Sequence, residues 1–243
     1  LKSRYDKFFI SEFDDYVFSI PSKNGAFECY KPGTPPTQVA LDQLKFSDGV
    51  ICSTPFLKEL YTPFNDNIEV VENVINLPLW RVPSHSPVRQ RVSIGWVGGT
   101  GHDEDLEILR EPLKEILKKY KDAEYVSMHG FPEFLKRGKQ VKWVQGFRPI
   151  DKYPKWVIEH KFDIGVAPLA DNNFNRGKSN LRWLEYSAMR IPTVASPLPH
   201  FAKSIKHGET GFLASTQQEW FDNLSRLIEG YDLRLSIGKA SRQ

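Results

Sequence analysis

Two stretches of this 243-residue chain gather side chains able to hold an anion. The first is DNNFNRGKSNLRWLEYSAMRIPTVAS, residues 171–196, directly after the β-rich run FDIGVAPL. It therefore starts at the C-terminal end of a predicted strand, where open α/β sheets bind their ligands. Arg176 and Lys178 flank a glycine just ahead of a helical run. Two cations, free backbone amides and a helix dipole in one place suit a diphosphate. Glu185 follows Lys178 by seven positions, about two turns along one helical face, where a carboxylate could accept hydrogen bonds from a ribose diol. Glu185 sits between Leu184 and Tyr186 in an otherwise apolar run, which argues against idle exposure. The plainer alternative is two solvated loop charges and a surface glutamate.

The second stretch is GWVGGTGHD, residues 95–103, a predicted strand running into a glycine-rich turn and then a helix. Glycine without a Cβ lets phosphate approach the backbone, and a helix start offers unpaired N–H groups; Asp103 is the expected N-cap. A dinucleotide fold would need a third glycine where Glu104 stands, and an acidic residue after the second strand, which ends Ser127-Met128-His129-Gly130. Neither is present, so the nicotinamide reading is weak. Glycine turns also follow strands in many α/β proteins for packing reasons alone.

Glu12, Asp14 and Asp15 end the first β-like run, SEFDDYVF. Carboxylates so placed could act as a base toward an acceptor or bind a divalent ion, or simply cap and turn the chain. The pattern is not a D-x-D metal motif. His102 and His129 fall on loops near the same strand ends; His102, beside the glycine turn, is the better phosphate donor, and a structural role is the usual one for a lone histidine.

The elements that must carry these residues alternate in β and α character, predicting an α/β fold with largely parallel sheets. Strands are expected over 7–13, 49–54 and 68–74, with helices over 36–46 and 55–64. The stretch from Leu77 to Gln90 has three prolines and two serines without periodicity and reads as a linker, which we set at 81–90 between domains 1–80 and 91–243. A fresh series follows, with strands over 92–97, 124–129, 141–144, 162–167 and 191–196 and helices over 149–160, 178–189, 199–206 and 216–229. Leu106, Leu109, Leu113, Ile116, Leu117 and Tyr120 repeat at helical spacing, with a kink or restart expected at Pro112. This second series is a complete doubly wound unit. The first is a thin sheet that begins inside a β-run, so it reads as the tail of a larger domain whose opening strands are supplied elsewhere or absent.

Bulk properties are those of an ordinary soluble protein: 40% hydrophobic and 26% charged residues, with a mean hydropathy of -0.45. The net charge of +3 is interspersed, which does not make a nucleic-acid footprint. No apolar run approaches the ~20 residues of a membrane span, and LKSRYDKFF lacks a signal-peptide layout. Cys29 and Cys52 make neither a zinc site nor a disulfide framework, so a cytoplasmic setting is expected. The aromatic content, with six Trp and sixteen Phe, fits packing as well as carbohydrate contact.

The run FDIGVAPLADNNFNRGKSNLRWLEYSAMRIPTVASPLPHF followed by GETGFLASTQQEW resembles the C-terminal domain of GT-B glycosyltransferases, specifically the large retaining group. VSIGWVGGTGHDEDL resembles that group's first C-domain strand and glycine loop, and GVICSTPFLKELYTPFNDNIEVVENVINLPLW resembles the end of its N-terminal domain. The resemblance spans essentially the whole chain and is most specific over 162–214. It implies two Rossmann-like domains, the first incomplete, and transfer of a sugar from a UDP- or GDP-linked donor to a glycan or lipid-linked acceptor. Retention of configuration and independence from metal or other cofactor come from the resemblance alone; a lipid-linked acceptor would bring peripheral membrane association. Gly98, Gly99, Thr100 and His102 would lie near the diphosphate, Arg176 and Lys178 would neutralise it as it leaves, and Ser179 and Asn180 would line the donor site. Glu185 would match the second glutamate of an E-x7-E motif and hold the ribose, while Gly146 and Phe147 would lie near the base. Glu12, Asp14 and Asp15 would face the acceptor. The motif's first glutamate falls at Gly177, which has no side chain to offer. The C-terminal LRLSIGKASRQ falls in what the family forms as a helix crossing back to the N-domain. Two other readings stand beside the transferase: a non-catalytic or split nucleotide-sugar-binding module, and a sugar-nucleotide epimerase, for which no acid/base pair is evident.

Overall fold

The computed structural model describes residues 7–80, 91–99, 101–146 and 148–242. The linker expected at 81–90, and the two site candidates Thr100 and Phe147, lie outside these residues. The chain forms two compact units, one of Leu1–Asn73 with Asp171–Asn180, the other of Val74–Ala170 with Leu181–Gln243. This division departs from the sequence reading in two places. Val74–Trp80 belong to the second unit, where buried Trp80 meets Tyr153 edge-on at 5.7 Å. The ten residues Asp171–Asn180, expected in the second domain, belong to the first, for reasons given below.

The first unit holds a parallel three-stranded sheet in the order β1-β2-β3, with β1 at Ile10–Phe13, β2 at Gly49–Cys52 and β3 at Ile68–Val70. The strands alternate in burial, so one face packs and the other is open. Helices α1 (Phe27–Tyr30), α2 (Pro35–Phe46) and α3 (Pro55–Tyr61) connect them. Phe13, Leu44, Val50, Cys52, Leu57 and Tyr61 form the core. Both longer helices start with proline at a first-turn position, where its missing N–H is not needed. Thr54 caps α3, its hydroxyl accepting from the Leu57 amide at 3.2 Å.

The second unit holds a six-stranded parallel sheet in the order β6-β5-β4-β7-β8-β9. Its strands are β4 (Val92–Gly98), β5 (Ala123–His129), β6 (Val141–Val144), β7 (Ile164–Ala167), β8 (Thr193–Ala195) and β9 (Phe212–Leu213). This is the doubly wound arrangement, and its order reverses between β4 and β7, which marks the expected binding crevice. β7 and the middle of β4 are buried on both faces, as helices on either side require. Ile94, Trp96 and Tyr125 point into one core with Leu113, Trp220 and Leu224; Val97, Val126 and Met128 point into the other with Trp156, Phe162 and Tyr186.

The helices along the way are α4 (Asp103–Glu107), α5 (Arg110–Lys119), α6 (Tyr153–His160), α7 (Asn173–Arg176, within the segment given to the first unit), α8 (Leu181–Ala188), α9 (Pro199–Ser204), α10 (Gln217–Glu229) and α11 (Tyr231–Ser241). Three expectations need correction. His102, not Asp103, occupies the N-cap of α4, without a side-chain capping bond, and Asp103 is the first helical residue. The break in the Leu106–Tyr120 run falls at Ile108–Leu109, ahead of Pro112, which then sits in the first turn of α5 where proline costs no hydrogen bond. Finally, α11 packs on α8 and α10, so it is part of the second unit rather than a return to the first. Among the described residues no helix is long and apolar enough to cross a membrane.

Candidate functional site

In the first unit the site is built on residues 171–180. Asn172 caps α7 by accepting from the Asn175 amide at 2.9 Å, and Gly177 ends that single turn. The Gly177 carbonyl accepts from the Thr54 hydroxyl at 3.0 Å. A Cβ on Gly177 would lie 2.9 Å from Leu57 Cδ2, inside contact distance of a fully buried side chain. Gly177 is therefore a close-packing position: the chain passes so near α3 that a side chain here would have to displace Leu57. That accounts physically for the missing first glutamate of the family motif.

The two cations of this segment are both engaged. Lys178 Nζ stands 3.0 Å from Asp15 Oδ1 and 4.2 Å from the centroid of the Phe174 ring. Arg176 grips Asp171 through Nε at 2.5 Å and Nη2 at 2.9 Å, and this pairing holds the Asp171 carboxyl below the usual carboxylate range. Asn73 Nδ2 bridges Asp14 Oδ1 at 2.7 Å and Ser179 Oγ at 2.9 Å. Of the acidic residues expected on the acceptor side, Asp15 thus pairs directly with Lys178 and Asp14 reaches Ser179 through Asn73, both partners having been expected on the donor side. Glu12 is exposed on β1 and lines a cavity with Asp14 and Asp15.

In the second unit the carrier is α8. Gly95 and Gly165 lie on the adjacent strands β4 and β7, where a Cβ would fall 2.0 Å from the Phe162 ring and 2.5 Å from the Tyr186 ring. These glycines let Phe162 and Tyr186 pack directly on the sheet, and the Tyr186 hydroxyl donates to the Gly95 carbonyl at 3.1 Å. One residue earlier, Glu185 Oε2 accepts from Tyr153 at 3.2 Å and from Arg182 Nη1, which also donates to the Tyr153 hydroxyl at 2.9 Å. Burial pushes the Glu185 carboxyl up, and Arg182 and Tyr153 pull it back. Both donors reach the same oxygen, Oε2. The spacing argument for Glu185 fails in detail: α8 begins at Leu181, so Lys178 precedes the helix and the two residues do not share a helical face.

The glycine turn after β4 is organised by Asp105, which is buried. Its carboxylate meets His102 Nδ1 at 2.6 Å and accepts from the Ala170 amide at 2.7 Å. It therefore ties the turn after β4 to the end of the β7 loop, across the place where the strand order reverses. The three acids Asp103, Glu104 and Asp105 occupy the first turn of α4 and oppose an anion at that helix start. Gly98 is explained by packing, since a Cβ there would lie 2.3 Å from the Trp96 indole. Gly99 differs: nothing lies within 4 Å of its would-be Cβ. Gly146 adopts a φ of 107°, the left-handed region that favours glycine. His129 ends β5 with a φ of 71°, and its carbonyl accepts from Trp143 Nε1 at 2.9 Å. Asn180 closes the 171–180 segment immediately before α8.

Residues 91–230 match the family model for glycosyl transferases group 1, more than half of the chain. The chain belongs to that family. No curated protein matches the sequence. Among solved structures, this group 1 chain is similar to the C-terminal domain of the Francisella tularensis glycosyl transferase group 1 protein LpcC, with 19% identity and a TM-score of 0.54 over 70% of this chain and 95% of that one. It is similar to Anabaena HepE, solved with UDP and glucose, at 15% identity and a TM-score of 0.72 over 99% of this chain and 67% of HepE. It is similar to S. aureus TarM at 15% identity and a TM-score of 0.68, covering 96% of this chain and 46% of TarM. The chain thus spans less than half the length of TarM. These likenesses place the fold in the GT-B class.

Within this group 1 chain the sequence reading missed Arg182, Tyr153 and Asp105. Arg182 was signalled by its i,i+3 spacing to Glu185, the spacing of a helical ion pair. Asp105 and His102 share that spacing. Tyr153 had no local signal, because the fold alone brings it to Glu185.

Proposed function

We propose that the protein transfers a sugar from a nucleotide-diphosphate donor to a hydroxyl of a glycan or lipid-linked acceptor, in the cytoplasm, with retention and without a metal. The observation that carries this reading is Lys178, a cation held between a carboxylate and an aromatic ring beside the paired guanidinium of Arg176, in a chain of the group 1 family. As the sugar departs, negative charge grows on the diphosphate. Arg176 and Lys178 stabilise that charge, an electrostatic contribution made where the transition state needs it. Glu185 accepts a ribose hydroxyl on Oε1 while Arg182 and Tyr153 fix its orientation. Gly99 gives the backbone close access to phosphate, and Gly146 lies toward the base. HepE, solved with UDP and glucose, makes UDP the first nucleotide to test.

A second reading has its own observation. Position 177 is a glycine packed against Leu57 and offers no carboxylate, which fits a module that holds a nucleotide sugar without turning it over, or that works with a further acceptor domain. The deciding experiment is calorimetric titration of UDP and GDP into the protein and into Lys178→Ala. One nucleotide should bind and weaken at least tenfold in the variant, about 1.4 kcal/mol. Equal affinity in both proteins removes Lys178 from the diphosphate site. Binding with neither transfer nor donor hydrolysis selects the second reading.

A further inference from the structure

Asp15 takes part in two surroundings at once. Its carboxylate pairs with Lys178 at 3.0 Å, and it also lines a cavity of about 550 Å³ at the end of β1 with Glu12, Asp14, Tyr30, Pro35 and Val39. Its backbone is fixed independently of its side chain: the carbonyl accepts from Tyr61 at 2.7 Å, and Tyr61 is fully buried. The carboxylate can therefore change partner without moving the chain. Lys178 is likewise anchored by more than Asp15, since Phe174 lies under the ammonium and Gly177 is wedged against Leu57. Next along the chain, Ser179 is joined to Asp14 through Asn73. Diphosphate carries more charge than one carboxylate and competes with it for the same cation.

We infer that Asp15 is the exchangeable counter-ion of Lys178. It holds the ammonium before the donor binds, yields it to the donor's diphosphate, and then faces the cavity beside Glu12 and Asp14. Asp15 is thus a positioning residue that couples donor binding to the charge of the neighbouring cavity. The inference rests on the reading of Lys178 as a diphosphate ligand, and its electrostatic sign makes it distinct. A residue that merely supports the fold would weaken binding when altered; a competing counter-ion strengthens it.

The test is titration of UDP and of uridine into the wild type, Asp15→Asn, Asp15→Glu and Lys178→Ala. Asp15→Asn should bind UDP at least threefold more tightly, Asp15→Glu should stay within twofold of wild type, and uridine affinity should not respond to either change. In ¹³C-aspartate-labelled protein, the carboxyl resonance assigned by its loss in Asp15→Asn should move on adding UDP and not on adding uridine. Unchanged or weaker UDP binding in Asp15→Asn, with Lys178→Ala still impaired, overturns the inference and leaves the proposed function standing. If Lys178→Ala binds UDP as the wild type does, the diphosphate reading itself fails.

Discussion

Lys178 and Asp15 are 163 positions apart in the chain, yet Nζ and Oδ1 meet at 3.0 Å. A lysine ammonium on a flexible stem is usually a mobile charge. Here Phe174, placed by the one-turn helix α7, gives it a second fixed surface. Phe174→Leu keeps much of the apolar volume and removes the ring quadrupole. Nucleotide affinity should fall about two- to fivefold, corresponding to about 0.5–1 kcal/mol. Calorimetry reads this directly, and an unchanged affinity would show that the ring only packs.

Restoring the family's missing glutamate should harm this chain. Gly177→Glu sets a Cβ 2.9 Å from Leu57 Cδ2, and Leu57 is fully buried. Overpacking of this kind costs about 1–3 kcal/mol. Denaturant unfolding should show that loss, and Leu57→Ala in the same chain should make the added cost of Gly177→Glu smaller than it is alone. Strict additivity of the two changes would refute the proposed clash.

Asp105 is a buried carboxylate that serves two loops. Asp105→Ala leaves the Ala170 amide and His102 without their shared acceptor, at a cost of about 1.5–3 kcal/mol. Hydrogen exchange should rise in both 98–102 and 168–170. A rise in only one of them would mean that Asp105 does not couple the loops.

Glu185 gives a pH signature. Burial raises its folded carboxyl above the ordinary value, so the folded state holds the proton over a range where the unfolded chain has lost it. Its contribution to stability is therefore greatest below the ordinary carboxylate range, falls as pH rises from there to the raised value, and is level beyond. The stability of wild type relative to Glu185→Gln should decline across that window in denaturant titrations. A difference that grows with pH would mean that Arg182 outweighs burial.

The parts legible in the sequence are those set by local pattern. The strands expected over 92–97 and 162–167 form at Val92–Gly98 and Ile164–Ala167, and the helices expected over 36–46 and 216–229 form at Pro35–Phe46 and Gln217–Glu229; Thr216 and Glu219 close a capping box at the start of the last of these. β9, two residues long, and α7, one turn, were too short to show a period. Arg176, Lys178 and Glu185 stand out in the sequence as polar residues after a strand, but their geometry does not. Lys178 precedes α8, and its partner Asp15 comes from the other end of the chain, which no local window can contain. Gly98 and Gly177 show a related limit. Gly98 beside a presumed ligand suggests access and Gly177 reads as a missing glutamate, whereas in the fold a Cβ at either would meet Trp96 or Leu57.

The placement of Asp171–Asn180 with the first unit also constrains how the protein can be made. Translation delivers β1 to β3 early, but the strip that backs Leu57, accepts the Thr54 bond and pairs Asp15 emerges only after β4 to β7 have been made. The first unit must wait for a piece of itself, and the second is being synthesised in the interval. A fragment ending at Asn73 would lack that strip, so severing the chain there would not yield two self-sufficient halves.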